Sequence, residues 1–406
     1  MREIILLNIT GEDHSGLVAS LSDVLTQHGV NILDIGQAVI HDHFSLGMLI
    51  EVLDGTASTP VIDALQREVE RLNIKISSSV IDDEQYEEWV NLQGKPRYIV
   101  TLLGRKLTAH NISCVTKVVA QHGLNIDKIN RLSGRFSLQN ANPHRRACVE
   151  FSLRGEAANV TKLREDLLEI TNDEAVDIAF QEDDLYRRNR RLIVFDMDST
   201  LIQVEVIDEL AKAAGIGDQV IAITESAMRG EIDFQESFRR RMGLLKGLDE
   251  SVLKGIAETL PITEGAARLI STLKRLGYTV GILSGGFTYF AEHLQKKLGI
   301  DFIRANRLDI EDGQLTGEVK GVIVDGAKKA EFLQEMADEM GISMQQTIAV
   351  GDGANDLPML ALAGLGVAFH AKPVVRENAQ HAISTLGLDG VLYLLGVRDR
   401  EVSHSI

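Results

Sequence analysis

The chain has 406 residues, 44% of them hydrophobic and 25% charged, with a formal net charge of −17. That length exceeds one ordinary domain and suggests two or three, and the composition is that of a globular protein with ample core material. The acidic balance argues against non-specific nucleic-acid binding, and no apolar run reaches the ~20 residues needed to span a bilayer. The first residues, Met1 to Asn8, enter a strand pattern directly, with no cleavage region of a secretory signal. Two cysteines, Cys114 and Cys148, are too few for a disulfide framework and read as small core residues. A soluble, cytoplasmic protein without membrane or nucleic-acid partners is the expectation.

Glu3 to Ile9 reads as a strand and Gly16 to His28 as a helix with apolar positions at helical spacing. Val30 to Ile40 and Ser45 to Leu53 read as strands, Pro60 to Leu72 as a helix, and Ile74 to Ile81 as a strand. This is a βαββαβ unit of the ferredoxin-like, α+β kind. An acidic segment, Asp82 to Glu88, follows, and Gly94-Lys95-Pro96 punctuates a boundary. The order then repeats, with strands at Arg97 to Leu103, from Leu124, at Ala147 to Leu153 and at Val176 to Phe180. Ile112 to His122 and Ala158 to Ile170 read as the helices of this second copy. The repeat is written in the residues: Gln27-His28-Gly29-Val30-Asn31-Ile32 recurs as Gln121-His122-Gly123-Leu124-Asn125-Ile126.

The two copies resemble ACT domains, small regulatory modules that often bind amino acids on metabolic enzymes. The resemblance implies a ligand loop at Asp13-His14-Ser15-Gly16, with Asp13 and Gly16 as possible regulatory-ligand residues at a helix N-terminus. In the second copy Leu107 stands opposite Asp13 and His110 opposite Gly16, which departs from that pattern. Either copy can instead serve only as a dimerisation surface, and a homodimer is the expected assembly. The charged run Gln181 to Arg191 reads as a solvated linker, its arginines otherwise pairing with acidic surface nearby. A chain cut before Asp184 is accordingly expected to keep a folded catalytic half.

From Leu192 strands and helices alternate. Leu192 to Phe195 is apolar without alternation, as a parallel strand buried on both faces would be, and it ends in Asp196-Met197-Asp198-Ser199-Thr200. Tyr278 to Leu283 ends at Ser284-Gly285-Gly286, Thr347 to Val350 ends at Gly351-Asp352-Gly353-Ala354-Asn355-Asp356, and Leu365 to Phe369 is a further strand. Helices are expected at Ala266 to Leu276, Phe290 to Leu298 and Lys329 to Met340. Arg304 to Val319, turning at Glu311-Asp312-Gly313, reads as a hairpin appendage. The whole predicts a Rossmann-like parallel sheet, with a mostly helical insert at about 207–260 that would cap the site. Domains are expected at 1–83, 95–182 and 190–406.

Phosphoryl transfer needs an in-line nucleophile, an acid for the leaving oxygen and positive charge around the equatorial oxygens. Asp196 suits the nucleophile, since a carboxylate can form an aspartyl-phosphate. Asp198 suits the general acid and later base. Ser284 and the N–H groups at Gly285 and Gly286 can receive phosphate oxygens, and Lys329 can bridge phosphate and nucleophile. Asp196, Asp352 and Asp356 form a carboxylate cluster that a hard divalent cation, Mg²⁺, would resolve. Taken singly, Asp-x-Asp is also a turn, Ser-Gly-Gly a turn and Lys329 a surface lysine; their order after successive strands is what carries the reading.

This set resembles the haloacid-dehalogenase-like phosphohydrolases from Asp196 to Asp356. Within them Glu205, Met228, Phe234 and Arg241 match the substrate-reading positions of the phosphoserine phosphatases. The resemblance implies Glu205 on the substrate ammonium, Arg241 on its carboxylate, and Met228 and Phe234 excluding water. It also implies that Ser284, Gly285, Lys329 and Asn355 bind substrate. It places the metal on Asp196, Asp352 and the backbone carbonyl of Asp198, with Asp356 in support. The activity implied is Mg²⁺-dependent hydrolysis of O-phospho-L-serine, the last step of serine synthesis. The alternatives are a related phosphatase or phosphotransferase on another small phosphomonoester, such as phosphohomoserine, and an amino-acid-binding regulator with a vestigial catalytic half.

Overall fold

A computed structural model of the chain describes residues 2–53, 57–137, 139, 145–173 and 175–402, with the side chains at 172, 173 and 228 outside the description. The chain divides into two compact units, Met1–Lys95 and Pro96–Ile406.

The first unit contains β1 (Glu3–Glu12), α1 (Leu17–Gln27), β2 (Asn31–Ile40), β3 (His43–Val52), α2 (Ser58–Arg71) and β4 (Lys75–Ile81). Its four strands lie in the order β2-β3-β1-β4, all neighbours antiparallel. Leu17, Leu21 and Leu25 on one helix and Val61, Leu65 and Val69 on the other bury against Leu7, Ile9 and Leu46 of the sheet. The acidic segment after β4 forms a helix, α3 (Asp83–Asn91). Asp82 accepts the Gln85 N–H at 2.8 Å while Gln85 Oε1 accepts the Asp82 N–H at 3.2 Å, so the helix start is capped from both sides.

The second unit opens with β5 (Arg97–Gly104), α4 (Ala109–Gln121), β6 (Asn125–Arg131), β7 (Ala147–Arg154), α5 (Val160–Asp173) and β8 (Val176–Glu182). The strand order, β6-β7-β5-β8, repeats that of the first unit. What differs is the sheet face turned away from the helices. Leu103, Cys148 and Ala179 on that face belong to the same apolar cluster as Leu392 and Leu395, near the end of the chain. Polar groups seal the edges of this contact. Arg105 grips Glu264 through two bonds of 2.8 and 2.7 Å. Asp177 accepts the N–H groups of Ser384 and Thr385, both at 2.9 Å, and the Thr385 hydroxyl at 2.6 Å. The arginine run is not a solvated linker: Arg187 is 1% exposed and paired with buried Glu150. Arg190, also buried, donates to the Gln345 carbonyl at 3.0 Å, and desolvation lowers its pKa to about 10. These charges lie inside because the second repeat is packed on the catalytic half.

That half begins at β9 (Leu192–Phe195), followed by the insert helices α6 (Val206–Ala214), α7 (Gly217–Met228), α8 (Phe234–Leu244) and α9 (Ser251–Thr259). Then come α10 (Ala266–Arg275), β10 (Thr279–Phe287), α11 (Thr288–Leu298), β11 (Phe302–Glu311), β12 (Gln314–Lys320) and α12 (Gly326–Glu339). The chain continues through β13 (Thr347–Gly351), α13 (Leu357–Leu362), β14 (Leu365–Phe369), α14 (Pro373–Asn378), β15 (His381–Ile383), α15 (Val391–Leu394) and α16 (Asp399–Val402). The sheet runs β12-β11-β10-β9-β13-β14-β15, parallel except for the β11/β12 pair. Strand β9 is central. Leu192 and Val194 face a cluster with Leu333 and Met359, and Ile193 and Phe195 one with Phe290 and Leu294, which is why the strand is apolar on both faces.

The hairpin is more than an appendage, because β11 first pairs with β10 inside the main sheet and only then with β12. Its turn has Asp312 and Gly313 at φ 51° and 77°, as a two-residue hairpin loop requires. β12 then supports the insert, with Gly247 N–H donating to the Leu315 carbonyl at 2.8 Å and Leu315 N–H to that of Leu248 at 2.9 Å. The insert leaves and re-enters the core side by side: Gln203 N–H donates to the Pro261 carbonyl and Thr263 N–H to that of Leu201, both at 3.0 Å.

Candidate active site

Strands β10, β9 and β13 are adjacent and parallel, so the residues at or just beyond their C-terminal ends converge at one end of the sheet, where ligands bind in open α/β folds. Asp196, Asp198, Ser284, Gly285, Asp352 and Asn355 line a cavity of about 610 Å³ there. The insert contributes Glu205, Asp208, Phe234 and Arg241 to the same cavity. Lys329, fully buried beside it, donates to Asp196 Oδ1 at 2.9 Å and to Asp356 Oδ1 at 2.7 Å. The other oxygen of Asp356 accepts the N–H groups of Asp352 (3.1 Å) and Gly353 (2.9 Å), so this carboxylate holds the loop and the lysine together.

One carboxylate oxygen from each of Asp196, Asp352 and Asp356 lies within 4.8 Å of the others. Asp196 Oδ1 also accepts the Met197 N–H at 2.7 Å, and Asp352 Oδ1 accepts the Thr200 hydroxyl at 3.2 Å. Their Oδ2 atoms bond to no protein group among the described residues. Burial, then the facing Asp356, push Asp196 well above the usual carboxylate range, with Lys329 opposing. The same two causes raise Asp352 to about 7. Two buried carboxylates and the part-buried Asp352 against one lysine leave an uncompensated negative charge, and the donors are all oxygen. A hard divalent cation fits that set.

Asp198 follows Asp196 by two residues, and the chain then turns away from the strand. Ser199 has φ 55°, and Ile202 N–H closes the turn onto the Met197 carbonyl at 3.1 Å. Asp198 Oδ1 accepts the Val206 N–H at 3.3 Å. Burial, and next the Glu205 carboxylate, push Asp198 well above the ordinary range, which favours its protonated form near neutrality. Gly286 is what lets the phosphate-binding loop come this close: a Cβ there would lie 2.7 Å from Asp198 Oδ2 and 2.6 Å from Met197 Cε. Its N–H donates to the buried Ser284 hydroxyl at 2.9 Å.

Glu205 is oriented by the Ser199 hydroxyl, which donates to its Oε1 at 2.8 Å. Arg241 is part-buried on α8 and makes no ion pair among the described residues; its Nε bonds only weakly, at 3.4 Å, to the Ser237 carbonyl. Desolvation lowers its pKa, while Glu205, Asp208 and Asp198 favour its charge. Phe234 stacks along Phe238 at 6.3 Å and lies over Gly285, where a Cβ would stand 3.3 Å from its ring. Met228 ends α7, and its side chain lies outside the described residues.

Several contributors escape a reading of motifs. Asn306, 2% exposed on β11, donates to the Gly285 carbonyl at 2.8 Å and accepts the Val324 N–H at 2.9 Å. It thus ties the C-terminal part of β10 to the segment that leads into the Lys329 helix. Its only trace in the sequence is a polar residue amid the alternation of a strand. Gln235, on the insert, donates to Asp325 Oδ2 at 2.9 Å and so links the cap to the residue that caps α12. Asp208, Thr200 and Lys372 also belong to this region.

In the first unit Asp13 and Gly16 occupy an exposed loop between β1 and α1. Gly16 has φ 93° at the helix start, and no side chain caps it. The second repeat differs at this point, since Thr108 accepts the Asn111 N–H at 3.2 Å and Asn111 Oδ1 accepts the Thr108 N–H at 2.8 Å. At the start of the helix that follows Leu107 and contains His110, the Asn111 N–H is thus capped from within the chain, which the first repeat does not do.

The parallel sheet, the carboxylate pair after β9 and the capping insert define a haloacid dehalogenase-like hydrolase, and the family model of that description matches residues 190–364. Two ACT-domain models match residues 3–79 and 97–181. A phosphoserine phosphatase of Mycobacterium tuberculosis is 41% identical over 402 residues, covering 98% of this chain and 94% of the relative. A phosphoserine phosphatase of Streptomyces coelicolor is 43% identical, covering 98% and 93%. Among solved structures, a hydrolase of the same superfamily from Salmonella enterica serovar Typhi superposes with a TM-score of 0.63 at 31% identity, covering 73% of this chain and 98% of that one. The chain belongs to the phosphoserine phosphatase family of haloacid dehalogenase-like hydrolases, in the form with two ACT domains ahead of the catalytic domain.

Proposed function

We propose that this protein hydrolyses O-phospho-L-serine to L-serine and phosphate, as the last step of serine synthesis, through a phosphorylated Asp196. The single observation that carries the reading is the convergence of Asp196, Asp198 and Ser284 on one cavity whose cap side offers both Glu205 and Arg241. Arg241 pairs with the substrate carboxylate and Glu205 with its ammonium, which leaves the phosphate over Ser284 and the N–H groups of Gly285 and Gly286. Asn355 and Phe234 close the remaining walls, and Met228 is assigned to the cap from sequence resemblance alone.

An oxygen of Asp196 attacks phosphorus while the bond from phosphorus to the serine oxygen breaks. Asp198, held protonated by burial, gives its proton to that leaving oxygen. Serine departs, and Asp198, now a carboxylate, takes a proton from the water that attacks the aspartyl-phosphate. Phosphate leaves and Asp196 is regenerated. Lys329 favours the ionised form of the attacking carboxylate, against the burial and the Asp356 charge that oppose it, and offsets charge gathering on the phosphoryl oxygens. The carboxylates of Asp196 and Asp352, the backbone carbonyl of Asp198 and, in support, Asp356 would hold Mg²⁺. That ion would polarise the phosphoryl group and relieve the repulsion among the carboxylates.

The modules we assign are 1–83, 95–182 and 190–406, with the cap at about 207–260, in a cytoplasmic homodimer. An amino-acid effector is assigned to the Asp13-to-Gly16 loop. Phosphate release from L-phosphoserine and from phosphohomoserine, with Mg²⁺ and after chelation, tests the reading. Preference for phosphoserine and loss on chelation are expected. Preference for phosphohomoserine would favour the related-phosphomonoesterase alternative, and no release from either would leave a regulatory protein.

A further inference from the structure

The cavity is lined by five carboxylates, those of Asp196, Asp198, Glu205, Asp208 and Asp352, and by two cations, Arg241 and Lys372. A phosphomonoester carries two negative charges on its phosphate, so the Glu205 and Asp208 carboxylates, which lie outside the Asp196–Asp352 cluster that Lys329 and a divalent cation would offset, oppose its approach over a distance of several ångströms. Lys329 lies fully buried and is already bonded to two aspartates. Arg241 is on the cap among Glu205, Asp208 and Asp198. Lys372 differs from both. It lies in the segment after β14, next in the sheet to the strand that leads into Asp352, so it stands on the core wall where the phosphate-binding groups are. It is exposed, and its side chain makes no hydrogen bond or ion pair among the described residues. Its main chain is nevertheless anchored, the Lys372 carbonyl accepting the N–H groups of Val375 (2.9 Å) and Arg376 (3.0 Å), with Pro373 fixing the start of α14.

We infer that Lys372 is a substrate-capturing residue of this reaction: an uncommitted cation at the entrance that draws the phosphate group of the incoming phosphomonoester past the carboxylates. The inference rests on the phosphatase reading above and adds the element that sets how readily an anionic substrate enters. Lys372 acts through charge and not through a fixed bonding geometry, so it governs capture and KM, and the chemical step belongs to Asp196 and Asp198. A Coulombic role has a signature that a structural one lacks. It weakens as salt shortens the screening length from roughly 20–30 Å near 0.01–0.02 M to about 3–5 Å near 0.5–1 M.

The test uses the full-length chain and its Lys372→Met, Lys372→Arg and Lys372→Glu variants, with saturating Mg²⁺. Two substrates are assayed at low and at high ionic strength: L-phosphoserine, and p-nitrophenyl phosphate, which has no carboxylate or ammonium. Lys372→Met should lower kcat/KM about three- to tenfold for both substrates at low salt, mainly through KM. The difference should shrink below twofold at high salt, Lys372→Arg should restore the wild-type value, and Lys372→Glu should fall further. Inorganic phosphate, as a competitive inhibitor, should weaken in parallel. An active wild type beside an unaltered Lys372→Met variant would overturn this inference alone. So would a salt-independent loss in kcat that arginine does not rescue, or a loss confined to phosphoserine. A wild type that hydrolyses neither substrate would overturn the phosphatase reading and this inference with it.

Discussion

Replacing Arg241 with alanine isolates the part of the site that distinguishes an amino-acid phosphate from any other phosphomonoester. The guanidinium has only a 3.4 Å bond to the Ser237 carbonyl and no ion pair among the described residues, so its charge is available to a ligand carboxylate. Truncating one partner of a desolvated charge pair costs about 2–5 kcal/mol. Arg241 is part-buried, so water replaces some of the lost interaction and the lower half of that range applies. At about 1.4 kcal/mol per tenfold, kcat/KM for phosphoserine should fall roughly thirty- to three-hundredfold. Phosphoethanolamine, which lacks the carboxylate, should be hydrolysed within about twofold of the wild-type rate. Glu205→Gln, which weakens the ammonium partner, should spare a phosphoglycolate-like substrate instead. The assay is continuous phosphate release for the three compounds on the three proteins. A distorted cap would damage all substrates alike, so uniform losses would refute the assignment of Arg241 and Glu205 to the amino-acid moiety.

The remaining expectations concern chemistry, domain structure and pH. Asp198→Asn should slow phosphoserine hydrolysis about 10²–10⁴-fold but p-nitrophenyl phosphate much less, because an aryl leaving group needs little protonation; equal losses would mean that Asp198 acts by position. Removal of residues 1–95 should leave a folded, active enzyme that no longer responds to amino acids, as read by activity against serine concentration. Removal of everything before Asp184 takes away Glu150, the partner of Arg187, and bares the apolar surface of Leu392 and Leu395 that Leu103, Cys148 and Ala179 cover. A Tm about 10 °C or more below that of the longer fragment follows, and equal Tm values would refute the packing argument. Burial lowers His381 from 6.5 to about 3, so between those values the unfolded chain binds more protons than the native one. Stability is therefore full above pH 6.5 and declines as pH falls toward 3, by at most about 1.4 kcal/mol per pH unit. Urea midpoints for His381→Asn should depend less on pH across this window than those of the wild type.

The catalytic strand was legible because burial on both faces leaves an unbroken apolar run, and the polar residues after Phe195 mark where the sheet ends. The hairpin turn at Asp312-Gly313 and the helices of the repeats were legible from local chemistry. Strand β15, three residues long, has too little pattern to be seen, and Asp82-x-x-Gln85 carried a capping signal that its acidic surroundings obscured. Arg187 could not be placed from sequence, since its burial depends on Glu150 thirty-seven residues earlier and on a sheet face covered by the far end of the chain. Asn306 was missed for the same reason: its two partners are backbone groups brought together only by the sheet. Residues whose role is set by neighbours along the chain could be read, and residues set by contacts across it could not.

The most direct measurement is acid quenching of the full-length enzyme during turnover of L-phosphoserine with Mg²⁺, followed by mass analysis of the peptide that contains Asp196. The account predicts one added phosphoryl group on Asp196, and an inactive Asp196→Asn variant with normal Tm and no label. Steady turnover with no phosphorylated aspartate, together with an active Asp196→Asn variant, would contradict it.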